Sequence, residues 1–361
     1  MALSVLIAGG GTGGHLYPGI AVARALLLRV AGAQVTFVGT AAGIESRVVP
    51  REGFALDVIR SAGLKGKSLR SLVRGLALLP ASALDAWRVI ARRRPSIVIG
   101  VGGYSSGPVV ALAALKRVPT LLMEQNAVPG LTNRLLASVV SAAAVTYQES
   151  VAVFGGKAFV AGNPVRPEFF RKEAYAEHSS PPGAARVLVF GGSQGAHAIN
   201  VAMVEAAPRL AAAAPAVAIT HQSGERDLEG VRDGYRRAGL EARVEPFLFA
   251  MDREMKAADL VVCRSGATTL AELTAAGRPA ILIPFPGATD DHQRKNAEAL
   301  ARVGAAKMID QRDLTGERLA AEILALAAND RERGRMSAAA AQLARPEAAE
   351  AIVDRILELA K

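Results

Sequence analysis

Cysteine is nearly absent: Cys263 is the only one in 361 residues. That excludes a disulfide framework and fits a reducing compartment. Aromatic residues make up 4% of the chain, with Trp87 the single tryptophan. The interleaved aromatic platforms that hold nucleic acid are therefore missing, and no nucleic-acid partner is expected. Of five histidines, His178, His197, His221 and His292 show no metal-ligand spacing, so no metal site is expected. The start of the chain lacks the basic region and the apolar length of a secretory signal. The longest uncharged stretch, residues 97–115, is long enough to raise the question of a membrane span. Its middle, Gly102-Gly103-Tyr104-Ser105-Ser106-Gly107-Pro108, reads instead as strand, glycine loop and helix, so no span is expected.

Acidic residues are scarce in the first half only. Residues 1–162 carry 17 Lys and Arg against 6 Asp and Glu, a net +11, whereas residues 163–361 carry 26 against 27, a net −1. A basic face on the first half implies an anionic surface or ligand on that side. Its centre is residues 64–94, with eight Lys and Arg opposed by Asp85 alone. Leu69, Leu72 and Leu76 recur there at helical spacing beside Arg70 and Arg74, and Trp87 leads into Arg92-Arg93-Arg94. One reading is a crossover helix packed on a sheet. The other is an amphipathic surface lying on an anionic leaflet, where each basic residue contributes roughly 1 kcal/mol.

What is plentiful is apolar sequence, 51% of the chain. It is enough for two domains, since single cores rarely grow past roughly 250–300 residues. Continuous aliphatic runs alternate with Ala/Leu-rich helical stretches. Strands are expected at residues 3–8, 34–38, 97–101, 120–123 and 143–145, and then, as the pattern restarts, at 186–190, 216–220, 243–246, 260–263, 280–284 and 306–309. Such runs predict an α/β chain with parallel sheets covered on both faces. The connector Gly162-Asn163-Pro164-Val165-Arg166-Pro167 divides it into residues 1–162 and 163–344, and a terminal helix near 346–359 is expected to return to the first domain.

Each half opens with a strand that runs into a glycine turn. The first is Gly9-Gly10-Gly11-Thr12-Gly13-Gly14-His15, followed by a helix expected over 17–30 with Pro18 in its first turn. The second is Gly191-Gly192-Ser193-Gln194-Gly195, with a helix expected over 196–207. Such turns collect bare N–H groups and a positive helix end, which suits an anionic or strongly polar group. Gly9, Gly11 and Gly14 spell a dinucleotide fingerprint, but the required acid at the end of the second strand is missing from Gly39-Thr40-Ala41-Ala42-Gly43. That counts against a nicotinamide-dependent oxidoreductase. No Walker lysine follows either turn, which argues against an NTPase.

The residues suited to chemistry sit at strand ends. His15 is a titratable group where a plain phosphate loop needs none. Glu124-Gln125-Asn126 follows a first-domain strand. In Cys263-Arg264-Ser265-Gly266-Ala267-Thr268-Thr269-Leu270-Ala271-Glu272 a helix is expected from Thr268 with a hydroxyl cap, placing Glu272 one turn inside, where a carboxylate can accept from ribose hydroxyls. The loop that holds Asp290, Asp291, His292 and Gln293 is rich in groups that bind sugars.

These segments, in this order and with Asn296, resemble the MurG family, peripheral membrane N-acetylglucosaminyltransferases that convert lipid I to lipid II. The resemblance covers nearly the whole chain. It implies a GT-B fold, two doubly wound Rossmann-like domains facing a central cleft, with no cofactor. UDP-GlcNAc would be held mainly by the second domain. The undecaprenyl-linked acceptor, lipid I, and an anionic membrane surface would be met by the first, at the cytoplasmic face of the inner membrane, with cell-wall synthesis proteins as further candidate partners.

By that resemblance Leu248 would contact uracil through its backbone, Arg166 would lie beside the nucleotide, Glu272 would take the ribose and Ser193 the diphosphate. Ala267, Thr268, Thr269, Leu270 and Ala271 would line the same pocket. Gln293 and Asn126 would hold the GlcNAc, with Thr12, Gly13 and Gly14 closing on the donor. Met123 stands where the family usually has histidine, which leaves the acid–base work to His15 and Glu124; Arg294 replaces a frequent second glutamine. The reaction expected is inverting transfer to the acceptor C4 hydroxyl, with His15 as base and Glu124 as either a second base or the group that orients His15. The diphosphate charge would be met by Ser193 and its helix end and not by a divalent ion. A related glycolipid glycosyltransferase is the alternative.

Overall fold

The computed structural model describes residues 3–61, 69–170, 184–192, 195–213 and 216–361, with the side chains of 69–77 and 289 left aside. The chain forms two compact units, Met1–Val165 with Arg345–Lys361, and Arg166–Ala344.

The first unit runs β1 (Ser4–Gly9), α1 (Gly13–Arg29), β2 (Gln34–Gly39), α2 (Glu45–Arg51), β3 (Ala55–Val58), α3 (Leu69–Arg93), β4 (Ile97–Gly102), α4 (Ser106–Leu115), β5 (Thr120–Glu124), α5 (Leu131–Leu136), β6 (Ala142–Val145), α6 (Val151–Phe154) and β7 (Ala158–Val160). The sheet is parallel throughout, in the order β3-β2-β1-β4-β5-β6-β7. Successive side chains point to opposite faces of a strand. In β1, Val5 and Ile7 therefore join one core with Leu16, Ile20 and Phe37, while Leu6 and Ala8 join another with Ile90, Val98 and Val110. Burial on both faces is why these strands read as unbroken apolar runs.

The second unit runs β8 (Ala185–Phe190), α7 (His197–Ala211), β9 (Val217–Gln222), α8 (Leu228–Arg237), β10 (Ala242–Glu245), α9 (Met251–Ala257), β11 (Leu260–Cys263), α10 (Ala267–Ala276), β12 (Ala280–Leu282), α11 (His292–Arg302), β13 (Ala306–Met308), α12 (Gly316–Ala327) and α13 (Asp330–Gln342). Its parallel sheet has the order β10-β9-β8-β11-β12-β13. A last helix, α14 (Ala348–Leu359), belongs to the first unit and packs beside α1. Its Ile352, Val353 and Ile356 are fully buried. Such aliphatics contribute about 1.5–3 kcal/mol each when removed from water.

Four local expectations change. Helix α1 starts at Gly13, four residues early, because the Thr12 carbonyl already accepts from the amides of His15 and Leu16; Pro18 then lies inside the helix and not in its first turn. Helix α7 passes through Pro208 and ends at Ala211. Helix α10 starts at Ala267 with Gly266 as its N-cap and without a hydroxyl cap, since the Ser265 hydroxyl donates to the Gln293 carbonyl at 2.7 Å. The short strands β3 and β7 at the sheet edges carry too little apolar sequence to be read as strands. Among the described residues no helix is long and apolar enough to cross a membrane.

Candidate active site

In the first unit the glycine turn after β1 is clamped by a carboxylate. Glu45, the first residue of α2 and 1% exposed, accepts from the Gly11 amide at 2.8 Å, the Thr40 amide at 2.8 Å and the Thr40 hydroxyl at 2.9 Å. Three glycines close around it: a Cβ at Gly10, Gly39 or Gly43 would come within 2.1–2.5 Å of its side chain. The acid missing after β2 therefore arrives a few residues later and turns inward. The Gly11 amide, which a phosphate would need in a dinucleotide site, is already engaged.

From that turn Thr12 leads α1, and His15 lies in the first helical turn. Its Nδ1 is 3.2 Å from Gln125 Oε1, across 110 residues of sequence. The ring lies against the end of β4, where a Cβ on Gly102 (φ +95°) would meet Nδ1 at 2.8 Å. Only glycine combines that backbone conformation with that approach.

The side chain hydrogen-bonded to His15 Nδ1 is that of Gln125, the neighbour of Glu124. The Glu124 carboxylate, 3% exposed, is taken up inside its own loop. One oxygen accepts from the Asn126 backbone amide at 3.0 Å and the Asn126 side chain at 3.1 Å. The other accepts from the Gly130 amide and Asn133 Nδ2, both at 2.9 Å. Two carboxylate oxygens with four donors tie residues 124–133 together.

In the second unit Arg166 NH2 lies 3.7 Å from Glu272 Oε1. Burial pushes the Glu272 carboxyl up to about 7, against the pull of Arg166. Ala267, Thr268, Thr269, Leu270 and Ala271 form the opening turns of the same helix. The Leu248 amide donates to Gln222 Oε1 at 2.9 Å, while Gln222 Nε2 donates to the Gly192 carbonyl at 2.7 Å. A base could therefore meet the Leu248 carbonyl but not its N–H unless Gln222 moves. Gln293 Oε1 accepts from the Phe285 amide at 3.0 Å, so its Nε2 is the end left for a sugar. Arg294 is held by Asp291 at 2.5 Å and Glu298 at 2.7 Å. Ser193, assigned to the diphosphate, lies outside the described residues.

Behind the second glycine turn runs a buried polar chain that the sequence did not reveal. His221 is fully buried between Tyr235 OH at 2.7 Å and Asn200 Oδ1 at 3.0 Å. Asn200 Nδ2 donates to the Ser223 carbonyl and to Asp227, each at 2.8 Å, and Asp227 also lies 2.9 Å from His197. Burial pushes the His221 imidazole down to about 3. At Asp227 burial acts to raise the carboxyl, but His197 and Asn200 hold it below its ordinary value.

On the basic face, Arg92 and Arg93 each lie 2.8 Å from Asp57, so part of that charge is compensated internally. Trp87, Leu79 and Leu84 are exposed, with the Lys116 ammonium 5.7 Å from the Trp87 ring centre. The side chains of Leu69, Arg70, Leu72, Arg74 and Leu76 lie outside the described residues, although the helix that carries them is formed.

Comparison with known proteins gives a consistent picture. The glycosyltransferase family 28 N-terminal domain matches residues 5–145, and the family's C-terminal domain matches residues 186–352. The chain is 49% identical over 360 residues to the UDP-N-acetylglucosamine–N-acetylmuramyl-(pentapeptide) pyrophosphoryl-undecaprenol N-acetylglucosamine transferase of Anaeromyxobacter sp. strain Fw109-5, covering 99% of this chain and 94% of that protein. It is 48% identical to the Pelobacter propionicus protein of the same name, covering 98% and 99%. The crystal structure of Acinetobacter baumannii MurG superposes with a TM-score of 0.80 at 30% identity, covering 99% of each chain. The two parallel sheets are thus those of a GT-B glycosyltransferase, and the chain belongs to the MurG family within glycosyltransferase family 28.

Proposed function

We propose that this chain transfers N-acetylglucosamine from UDP-GlcNAc to the C4 hydroxyl of lipid I, the undecaprenyl-pyrophosphoryl MurNAc-pentapeptide, and so forms lipid II for peptidoglycan. The donor and acceptor are those in the names of relatives that are up to 49% identical over nearly the full chain. The observation that carries the mechanism is His15, placed in the first turn of α1 with Nδ1 held by Gln125.

In this reading the acceptor oxygen attacks the anomeric carbon from the face opposite UDP. The C1–oxygen bond to the diphosphate breaks as the new glycosidic bond forms, which inverts the anomeric centre. The hydroxyl proton passes to His15, a residue whose ordinary pKa near 6.5 suits a general base at neutral pH. Glu124 keeps its loop in place and takes no proton. Thr12, Gly13 and Gly14 close on the donor from the first unit, and Asn126 and the Gln293 Nε2 group serve the sugar. Arg166 and Glu272 serve the ribose side, Ala267 through Ala271 line the pocket, and the Leu248 carbonyl meets the base. Ser193 and the N-terminus of α7 receive the charge that grows on the departing diphosphate, an electrostatic role that such donors fill well.

Replacing His15 by Ala should lower single-turnover transfer on the order of 10²-fold or more, while UDP-GlcNAc binding is retained. Near wild-type kcat in that variant would remove His15 from the mechanism.

We further infer a peripheral location on an anionic membrane surface, through the amphipathic helix α3 with its exposed Trp87 and its basic residues Arg70, Arg74 and Arg92. Reversal of those three arginines to Glu should abolish sedimentation with anionic vesicles. Asp57 compensates part of the Arg92 charge. Unchanged sedimentation would reject this membrane role.

A further inference from the structure

We infer that Gln125 is a positioning residue that fixes which nitrogen of His15 holds the proton, so that His15 meets the acceptor through Nε2. The inference rests on the reading of His15 as the base and specifies how that base is prepared. Gln125 follows β5 directly and is 2% exposed. Its side-chain amide sits between two partners, the Val101 carbonyl at 3.2 Å and His15 Nδ1 at 3.2 Å. A backbone carbonyl can only accept, so the amide must turn its NH₂ to Val101. That turns Oε1 to His15, and an amide oxygen can only accept in its turn. Nδ1 must therefore carry the hydrogen, which leaves the lone pair on Nε2.

Two further features hold the arrangement. The imidazole lies on Gly102, where any side chain would strike Nδ1 at 2.8 Å. Val101, whose carbonyl orients Gln125, immediately precedes that glycine in β4 and is itself fully buried. Strands β4 and β5 thus supply both the floor under the ring and the proton direction. The device differs from a carboxylate–histidine pair because Gln125 brings no charge. It selects the nitrogen without the attraction that a carboxylate would exert on the protonated ring. Unlike Glu124, whose bonds stay within its own loop, Gln125 touches the reacting group.

The test is ¹⁵N NMR of the full-length protein labelled at histidine, with the His15 signals identified by their loss in His15→Gln. Above its titration point wild-type His15 should show the Nδ1–H tautomer. Gln125→Leu should lose that preference, and its kcat should fall on the order of 10²-fold with KM for UDP-GlcNAc unchanged, since the wrong tautomer withholds the general base. Gln125→Glu should keep Nδ1–H and move the acidic limb of the kcat–pH profile upward by about one unit or more, because a carboxylate stabilises the protonated ring. A residue that merely filled space would leave that limb in place in both variants.

An Nε2–H tautomer in wild type would overturn the inference, as would an unaltered tautomer in Gln125→Leu. The wild-type spectrum decides the matter even if a variant fails to fold. If the tautomer is Nδ1–H while His15→Ala retains full kcat, the assignment of the base fails and the role of Gln125 in catalysis fails with it. If His15→Ala is inactive but the tautomer is Nε2–H, the base stands and only the positioning role is lost.

Discussion

On the proposed reading of Glu272 as the ribose ligand, donor binding should depend on pH in a range where sugar nucleotides do not titrate. The carboxylate must be ionised to accept from two ribose hydroxyls, yet its surroundings in α10 push its pKa up to about 7. Burial raises it, and Arg166 at 3.7 Å only partly opposes that. At pH 8 about nine-tenths of the free protein would carry the charge, and at pH 6 about one-tenth, since one pKa unit corresponds to about 1.4 kcal/mol. The dissociation constant for UDP-GlcNAc should therefore rise about tenfold from pH 8 to pH 6, a loss of about 1.4 kcal/mol. Isothermal titration with UDP-GlcNAc is the assay, because its diphosphate is esterified at both ends and keeps its charge across this range, whereas the terminal phosphate of UDP does not. In Glu272→Gln, binding at pH 8 should weaken by roughly 1.5–3 kcal/mol, the worth of hydrogen bonds to a charged group, and the pH dependence should vanish. Wild-type affinity that stays level from pH 8 to 6 would refute this reasoning. So would a Gln variant that keeps the wild-type slope.

Two stability predictions follow from buried groups. Glu45→Ala leaves three donors without their carboxylate and should destabilise the first unit by about 2–4 kcal/mol. Because Trp87 is the single tryptophan and lies in that unit, its fluorescence during urea unfolding reads the effect directly, and an unchanged midpoint would show the clamp to be idle. His221 stays neutral in the fold with its pKa pushed down to about 3, whereas an unfolded histidine takes a proton below about 6.5. Acidification thus favours unfolding: the stability that neutral His221 contributes is complete above pH ~6.5 and falls by about 1.4 kcal/mol per pH unit between roughly pH 6 and pH 4. Circular dichroism of wild type against His221→Gln isolates that slope, since the other acidic groups cancel in the difference; parallel curves would refute it.

The sheets were legible in the sequence because strands buried on both faces cannot hide their character: residues 97–101 and 260–263 are unbroken runs without a charged or hydroxyl side chain. The edge strands β3 and β7 were not, since Asp57 interrupts one and the other has three residues. At the site, His15 was conspicuous because glycine turns rarely need a titratable group. Its partner was not, because 110 residues separate His15 from Gln125 and nothing local distinguishes Gln125 from the more reactive Glu124 beside it. Glu45 escaped for a similar reason. Its significance lies in the glycines at 10, 39 and 43, which only the folded chain brings around one carboxylate. The Tyr235–His221–Asn200–Asp227 chain left no pattern at all, its members lying on a strand, two helices and a turn at irregular spacings.

The placement of α14 has a consequence for synthesis. The ribosome completes the leading sheet long before Ile352, Val353 and Ile356 emerge, so the nascent first unit must wait with the flank of α1 bare while the whole trailing unit is made. Closure of that flank waits for α14 and joins segments more than 300 residues apart. Loss of α14 would thus injure the part of the molecule made first, leaving the unit made after it untouched.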